Sequence, residues 1–82
     1  MSGAPVTDVP FPQMSKESPT AEGVVSTWFV ADGEQVAAGQ LIAEVQVDKV
    51  AAEVLAPVPG TIRLLVDEDE GVAQGAPMAR IE

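Results

Sequence analysis

An internal repeat limits the folds open to this 82-residue chain more than any other feature of its sequence. Stretches 23–46 and 60–82 share a glycine, an acidic turn, the pattern Val-Ala-x-Gly and a closing apolar segment, in that order. The matched pairs are Gly23 with Gly60, Val25 with Ile62, Phe29 with Val66 and Asp32 with Asp69, then, after a one-residue gap, Val36 with Val72, Ala37 with Ala73, Gly39 with Gly75, Ile42 with Met78 and Val45 with Ile81. Neither stretch could bury its apolar side alone. The repeat therefore predicts two similar β units packed face to face.

The apolar segments are short, which favours strands over helices. Most have roughly five to eight residues, are rich in Val and Ile, and are bounded by Gly, Pro or acidic clusters. The stretch 36–45 could be read as a helix, but Gly39 interrupts it, and we predict no long helix. Apolar residues make up 46% of the chain, so we expect one small folded domain. We place this domain at 8–82, after a flexible tail at 1–7 of small and turn-prone residues.

The composition argues against several classes of function. The chain has no cysteine and no histidine, so it lacks thiolate and imidazole metal ligands and the usual general base. We therefore predict neither a catalytic nor a metal site. A formal charge of −9 repels nucleic-acid phosphates and anionic lipids. No apolar run approaches the roughly 20 residues of a membrane span. Nucleic acid and membranes are therefore not expected as partners.

The segment "EVQVDKVAAEV", residues 44–54, is nearly symmetric about Asp48–Lys49 and predicts a hairpin with a two-residue loop. The predicted cross-strand pairs are Val47 with Val50, Gln46 with Ala51, Val45 with Ala52, Glu44 with Glu53, and Ile42 with Leu55. A tight hairpin turn favours Gly or Asn at the second loop position, which is Lys49 here. Lys49 is strained if its φ is positive, or else the turn is of another type. A poor turn residue at an exposed tip indicates that its amine is needed.

An amine at a hairpin tip is accessible to another protein. Most tip lysines are only solvated charges, so position alone does not assign a function to Lys49. The tip lacks the burial that a Schiff-base or general-base lysine requires. Lys49 is better suited to accept a covalent attachment. The repeat also places the turn and the chain ends at opposite poles, which would leave Lys49 free in a tethered domain.

From about Asp8 to Glu82 the sequence resembles the biotinyl/lipoyl-domain family of swinging-arm carriers, and in particular the lipoyl domains of dihydrolipoyl acyltransferases. The residues that carry the resemblance are Glu17, Ser18, Glu22, Gly23, Trp28, Gly33, Glu34, Val36, Gly39, Glu44, Val45, Asp48, Lys49, Val50, Pro57 and Gly60. Two positions depart from the family pattern. The family commonly has Thr at the position of Val47 and Gly at the position of Lys16. We interpret the loop near Lys16 as a candidate partner-recognition site.

The resemblance implies an all-β fold, a flattened β-barrel or sandwich of two four-stranded antiparallel sheets with quasi-two-fold symmetry. It implies that lipoic acid forms an amide with Lys49 at a hairpin tip, and that a ligase recognises the turn through Asp48 and Val50. The domain would be a non-catalytic carrier of a dihydrolipoyl acyltransferase in a 2-oxo acid dehydrogenase complex. Its implied partners are a lipoate ligase or lipoyl transferase, a thiamine-dependent 2-oxo acid decarboxylase, the acyltransferase core and dihydrolipoyl dehydrogenase. The expected location is cytoplasmic, with the mitochondrial matrix as the alternative.

Two other functions are compatible with a β domain that presents a lysine. A biotinyl carrier domain shares the implied fold, but such domains have Met on both sides of the lysine, where this chain has Asp48 and Val50. An unmodified β-sandwich interaction module would leave the Lys49 amine free. The residues around Lys49 do not choose among the pyruvate, 2-oxoglutarate and branched-chain complexes.

Three further features have simpler interpretations. The acidic stretch "DEDEG", residues 67–71, lacks the ligand spacing of an EF-hand loop, and we interpret it as a solvated turn. Trp28 lies in a predicted strand beside Phe29 and is expected to be a packing residue. Lys16 is expected to be a solvated surface charge.

Overall fold

The computed structural model describes residues 5–17 and 20–82, and these residues form eight strands and no helix. The strands are β1 (Thr7–Pro10), β2 (Glu22–Trp28), β3 (Gln35–Val36), β4 (Leu41–Val47), β5 (Val50–Leu55), β6 (Gly60–Leu64), β7 (Val72–Ala73) and β8 (Pro77–Ile81). They pair in two four-stranded sheets of order β1-β8-β6-β3 and β5-β4-β2-β7. Every strand pair is antiparallel. The predicted all-β fold of two four-stranded antiparallel sheets is therefore confirmed.

The two sheets are equivalent under a quasi-two-fold operation. Replacing β1, β8, β6 and β3 by β5, β4, β2 and β7 converts the order of one sheet into that of the other. The first repeat thus supplies β2, β3 and β4, and the second supplies β6, β7 and β8. Strands β3 and β7 each pair with the other repeat, since β3 joins β6 and β7 joins β2. The two units are therefore interlocked as well as packed together.

A β-bulge in β2 places the gap in the repeat earlier than predicted. Val25 pairs with Val45, but Thr27 pairs with Glu44, so Ser26 is an extra residue in β2. Strand β6 pairs with β8 without such an insertion. The offset between the repeats therefore changes at Ser26, and not after Asp32.

The predicted matches of Phe29 with Val66 and of Asp32 with Asp69 are consequently wrong by one residue. Backbone hydrogen bonds from Phe29 to Ile42 (2.9 Å) and from Leu65 to Met78 (3.1 Å) show that Phe29 corresponds to Leu65. The Asp32 carboxylate accepts a hydrogen bond from the N–H of Leu64 at 2.9 Å. The Glu68 carboxylate accepts the equivalent bond from Trp28 at 2.8 Å, so Asp32 corresponds to Glu68.

The core lies between the two sheets and is apolar. Its largest fully buried side chains are Phe11, Ile42, Ile62, Met78, Ile81, Val25 and Val45. Equivalent residues of the two repeats, such as Ile42 and Met78, are both 0% exposed. Because each sheet has only one apolar face, the burial of one depends on the presence of the other.

The C-terminus lies away from the Asp48–Lys49 turn. Strand β5 runs from the turn toward Leu55, a distance of roughly 17 Å at the usual rise per residue. At that end Ala56 N–H donates to the Gln40 carbonyl, in the loop that follows β3. Strand β3 pairs with the start of β6, where the N–H of Thr61 donates to the carbonyl of Glu82. This arrangement agrees with the predicted separation of the turn from the chain ends.

The predicted tail at 1–7 is described only in part. Residues 1–4 lie outside the described residues, and Thr7 already pairs with Ile81 in β1. Within the described ranges there is no helix with the length and apolarity that a membrane crossing requires.

Candidate functional site

The hairpin of β4 and β5 has the predicted two-residue loop and most of the predicted register. The pairs Val47–Val50, Gln46–Ala51, Val45–Ala52 and Glu44–Glu53 are all present. The predicted pairing of Ile42 with Leu55 is wrong, because Leu55 pairs with Leu41 and Ala43 pairs with Val54. Ile42 is the extra residue of a second β-bulge, and its side chain is fully buried.

The turn places its backbone strain on Asp48. Asp48 has a φ of 55°, and Lys49 is not among the residues with a positive φ. The positive φ, which lies in the left-handed region, is therefore at the first loop position and not at the second. Asp tolerates this region because its short polar side chain can bond locally. The inference that Lys49 is a poor turn residue is therefore wrong, and its presence at the tip is not explained by strain.

The turn is braced by a residue that sequence reasoning did not single out. The amide Nε2 of Gln46 donates a hydrogen bond to the carbonyl oxygen of Asp48 at 2.9 Å. Gln46 itself is exposed, so the bond lies on the outer face of the hairpin. A glutamine two residues before a turn is the only signal in the sequence for such a contact.

Lys49 is exposed at the tip, as predicted, between the exposed residues Asp48 and Val50. In residues 5–17 and 20–82 the one ion pair joins Arg63 to Glu82 at 3.4 Å, so Lys49 has no ionic partner in that part of the chain. Val50, which is 55% exposed, adds apolar surface beside the amine. The geometry therefore presents a primary amine on a fixed turn with room around it for a second protein.

The residue before the turn belongs to the interior. Val47 is 3% exposed, and its Cγ2 lies 2.7 Å from where a Cβ on Gly23 would stand. The Phe11 ring meets the same position, and Phe11 is fully buried. The replacement of the family's usual Thr by Val47 therefore changes the packing beneath the turn rather than the face that a partner would meet.

The segment between β1 and β2 lies beside the turn. Val24 pairs with Gln46, and in this antiparallel register Glu22, at the start of β2, is level with Asp48. Lys16 lies in this segment and is exposed, as predicted. Ser18, which contributes to the family resemblance, lies outside the described residues. The segment and the turn therefore form adjoining parts of one surface.

Trp28 and the acidic stretch contribute to folding. The indole Nε1 of Trp28 donates to the carbonyl of Val66 at 3.1 Å, and the ring packs against the core. In the stretch 67–71, the N–H of Asp67 donates to the Glu70 carboxylate at 3.0 Å. Among the described residues, no three acidic side chains are grouped as a metal ion would require. These contacts stabilise a turn and connect segments that are distant in the sequence.

Comparisons with known proteins agree with this geometry. A family model described as "Biotin-requiring enzyme" matches residues 7–81. The chain is 45% identical over 76 residues to the dihydrolipoyllysine-residue acetyltransferase component of the pyruvate dehydrogenase complex of Corynebacterium glutamicum, covering 92% of this chain and 11% of that protein. It is 42% identical over 78 residues to the lipoamide acyltransferase component of the branched-chain alpha-keto acid dehydrogenase complex of Bacillus subtilis, covering 94% and 18%.

A solved structure extends the comparison to three dimensions. The lipoyl domain of the 2-oxoglutarate dehydrogenase complex of Azotobacter vinelandii superposes with a TM-score of 0.75 at 31% identity. The match covers 93% of this chain and 95% of that domain. The chain spans less than a fifth of the length of each of the two acyltransferases.

The chain belongs to the family of biotinyl and lipoyl carrier domains. Within that family it is a lipoyl domain, homologous to those of the acyltransferase components of 2-oxo acid dehydrogenase complexes. Such a domain is a non-catalytic carrier that holds lipoic acid in covalent linkage. The biotinyl alternative is not favoured by these relatives.

Proposed function

We propose that Lys49 is the lipoylated residue and that the domain carries acyl groups and reducing equivalents within a 2-oxo acid dehydrogenase complex. The observation that supports this most directly is the exposure of Lys49 at the tip of a hairpin that points away from the C-terminus. The chain has only one other lysine, Lys16, which lies in the neighbouring segment and not in a two-residue turn.

The residues of the turn fit the cofactor's attachment. A lipoate ligase would activate the lipoate carboxyl group with ATP, and the Nζ of Lys49 would attack that carbon. Nζ loses a proton, an amide forms, and the activating nucleotide leaves. When bound, the dithiolane supplies a disulfide that is reduced by two electrons as an acyl group is taken from the 2-oxo acid. The chain itself provides an exposed amine, a rigid turn and a tethered position.

We propose that Asp48 and Val50 are the parts of the turn that the ligase recognises. Both flank Lys49 on the exposed tip, and the carbonyl of Asp48 is held by Gln46. The carboxylate of Asp48 offers a charged acceptor, and Val50 offers an apolar contact. Because charge-assisted hydrogen bonds are about twice as strong as neutral ones, replacing the Asp48 carboxylate by a neutral amide is expected to weaken recognition.

The proposed partners follow from the proposed reaction. A thiamine-dependent decarboxylase would load the acyl group, the acyltransferase core would pass it to coenzyme A, and dihydrolipoyl dehydrogenase would restore the disulfide. The parent chain is proposed to be a dihydrolipoyl acyltransferase, which is what the relatives from Corynebacterium glutamicum and Bacillus subtilis are. Since these relatives are bacterial, we propose a cytoplasmic location.

Attachment can be tested with the two lysines of the chain as a matched pair. The folded protein is incubated with lipoate, ATP and a lipoate ligase. Its intact mass then gives the number of lipoyl groups attached, and peptide mapping identifies the modified residue. The wild type and Lys16→Arg should each gain one lipoyl group, whereas Lys49→Arg should gain none. In Asp48→Asn the turn conformation is tolerated but the charge is lost, so we expect about tenfold slower labelling.

A parallel incubation with biotin and a biotin ligase serves as the control for the family. Labelling of Lys49 by biotin but not by lipoate would refute the proposal in favour of a biotinyl carrier. Labelling by neither ligase would indicate an unmodified interaction module. Lipoylation that persists in Lys49→Arg would show that the wrong residue had been assigned.

A further inference from the structure

The largest departure from quasi-two-fold symmetry lies next to Lys49. The connection between β5 and β6 comprises residues 56–59, whereas the equivalent connection between β1 and β2 comprises residues 11–21. The short connection follows the end of β5 that is remote from the turn. The long connection adjoins the turn, because Phe11, its first residue, and Gly23, near the start of β2, pack directly under Val47. One pole of an otherwise symmetric domain therefore carries an additional surface segment.

A single buried side chain holds both ends of this segment. Gln74 is 8% exposed and is the buried polar residue among residues 5–17 and 20–82. Its Oε1 accepts hydrogen bonds from the backbone N–H groups of Met14 at 2.8 Å and Ser15 at 3.0 Å. Its Nε2 donates to the carbonyl of Ala21 at 2.8 Å. The Gln74 amide thus links the chain before Lys16 to the chain just before β2.

The other repeat has no such clamp. At the constant offset that relates Gly39 to Gly75, the counterpart of Gln74 is Ala38, which is exposed and has no hydrogen-bonding side chain. Both glycines have a positive φ, of 82° and 87°, and both donate their N–H groups across the fold in the same way, to Ala56 and Phe11. The backbone at this position is therefore the same in both repeats. Gln74 is consequently not required by the turn itself.

A buried amide must find partners for both of its ends, because unpaired polar groups are costly in the interior. Here the partners are Met14, Ser15 and Ala21, which lie between β1 and β2 and belong to neither strand. Close by, the Gln13 amide lies 2.8 Å from where a Cβ on Gly75 would stand, so the segment and the β7–β8 turn are in close contact. The clamp therefore fixes the segment relative to the turn that carries Lys49.

We infer that Gln74 is a positioning residue for the loading of the lipoyl group, since it holds Met14, Ser15 and Ala21 of the β1–β2 segment in place beside the turn that carries Lys49. The inference rests on the proposed carrier function. A decarboxylase that takes the lipoylated turn into its active site meets this segment at the same time. A segment already held in place loses little conformational freedom on binding, whereas a released one must be ordered by the partner.

The test compares two glutamines that both accept backbone hydrogen bonds. Gln74→Met keeps the length of the side chain but removes the hydrogen bonds to Met14, Ser15 and Ala21. Gln40→Met is the control, because the side-chain Oε1 of Gln40 accepts a hydrogen bond from the N–H of Ala37, at 2.9 Å, in the loop remote from the turn. Both variants and the wild type are lipoylated to completion, and each is then used as substrate for the decarboxylase of a bacterial pyruvate dehydrogenase complex with pyruvate.

Gln74→Met should raise the KM for the lipoylated domain about tenfold, with kcat changed less than about twofold. Amide hydrogen exchange at Met14 and Ser15 should accelerate in the same variant. Gln40→Met should leave the KM and both exchange rates as in the wild type. A wild-type domain that cannot be lipoylated or acylated would refute the proposed function, and with it any role of Gln74 in loading, whereas a result confined to Gln74→Met bears on Gln74 alone.

Three results would overturn the inference while leaving the carrier function intact. They are unchanged exchange at Met14 and Ser15 in Gln74→Met, accelerated exchange without a rise in KM, or an equal rise in KM in Gln40→Met. If Gln74→Met does not fold, Gln74→Glu takes its place. That variant keeps the acceptor for Met14 and Ser15 but loses the bond to Ala21, and a KM equal to that of the wild type would again contradict the inference.

Discussion

The two residues of the hairpin turn have separate tasks. Asp48 occupies the left-handed backbone conformation, with a φ of 55°, and its carbonyl is held by Gln46. Lys49 is free of that constraint and presents its amine. This division means that the conformation of the turn does not depend on the lysine side chain. Covalent modification can therefore neutralise Lys49, taking the formal charge from −9 to −10, without disturbing the residues that define the turn.

A glycine beneath the turn provides a prediction at the residue scale. A Cβ on Gly23 would lie 2.7 Å from the carbonyl oxygen of Gln46 and from Val47 Cγ2, and it would overlap the Phe11 ring. Because one of these neighbours is backbone, Gly23→Ala should reduce the free energy of unfolding by about 3 kcal/mol. Urea unfolding followed by the fluorescence of Trp28 would measure the change.

Gly39→Ala measures the cost of the backbone conformation alone, without the steric clash that a Cβ would cause at Gly23. Gly39 has a φ of 82° but nothing within 4 Å of the position of an added Cβ. Its replacement should cost only the strain of a left-handed residue, about 1 kcal/mol. A loss in Gly39→Ala as large as that in Gly23→Ala would show that close packing under Val47 is not what requires glycine at position 23.

At the scale of strands, one kind of β-bulge occurs in both repeats and another occurs in the first repeat alone. Ile42 in β4 and Met78 in β8 are extra residues at equivalent places, and both are fully buried. These bulges turn an apolar side chain into the core where a regular strand would direct it outward. The bulge at Ser26 occurs only in β2, and its Oγ donates to the carbonyl of Glu44 at 3.1 Å.

Deletion of Ser26 should be tolerated for this reason. The shortened β2 would acquire the regular pairing that β6 already has with β8, and it would lose one hydrogen bond worth about 1 kcal/mol. Circular dichroism during thermal unfolding should show a cooperative transition at a slightly lower temperature.

Deletion of Arg63 in the regular strand β6 is the matched control. Removing a residue there exchanges the inner and outer faces of the rest of the strand, so that Ile62 and Leu64 cannot both keep their positions. The loss should be about 4 kcal/mol or more, as for the loss of a large core side chain. If both deletions were equally harmful, Ser26 would not be the inserted residue.

For the whole molecule, the exchange of β3 and β7 between the repeats makes the domain a single cooperative unit. Each sheet takes its edge strand from the other repeat, and each relies on the other sheet to cover its apolar face. A rigid unit of this kind keeps the hairpin tip at a fixed distance from the last strand, β8. That property is what a carrier needs when it visits several partners.

Separate halves of the chain should therefore not fold. Fragments 1–58 and 59–82 each lack the strands that complete their sheets, and each exposes half of the core. We expect neither to show a cooperative thermal transition by circular dichroism, whereas the intact chain should do so. A folded 1–58 fragment would contradict the interlocked arrangement of β3 and β7.

The sequence by itself determined the class of fold, the repeat, the hairpin register near the tip and the position of Lys49. Each of these depends on local patterns, namely the alternation of apolar residues, the spacing of glycines and the symmetry about Asp48–Lys49. Local patterns are sufficient because a strand must direct alternate side chains to one face, wherever its partner lies.

Only the tertiary structure decided the features that depend on cross-strand partners. The bulge at Ser26 shifts the pairing by one residue without any marker in the sequence, which is why the sequence pattern matches Phe29 and Asp32 to residues one position too far along. The bulge at Ile42 likewise makes Leu41 the partner of Leu55. The strain on Asp48 and the clamp formed by Gln74 likewise depend on which backbone groups come within hydrogen-bonding distance. Gln74 bonds residues about 60 positions away in the chain, and no periodicity of the sequence can indicate a contact of that kind.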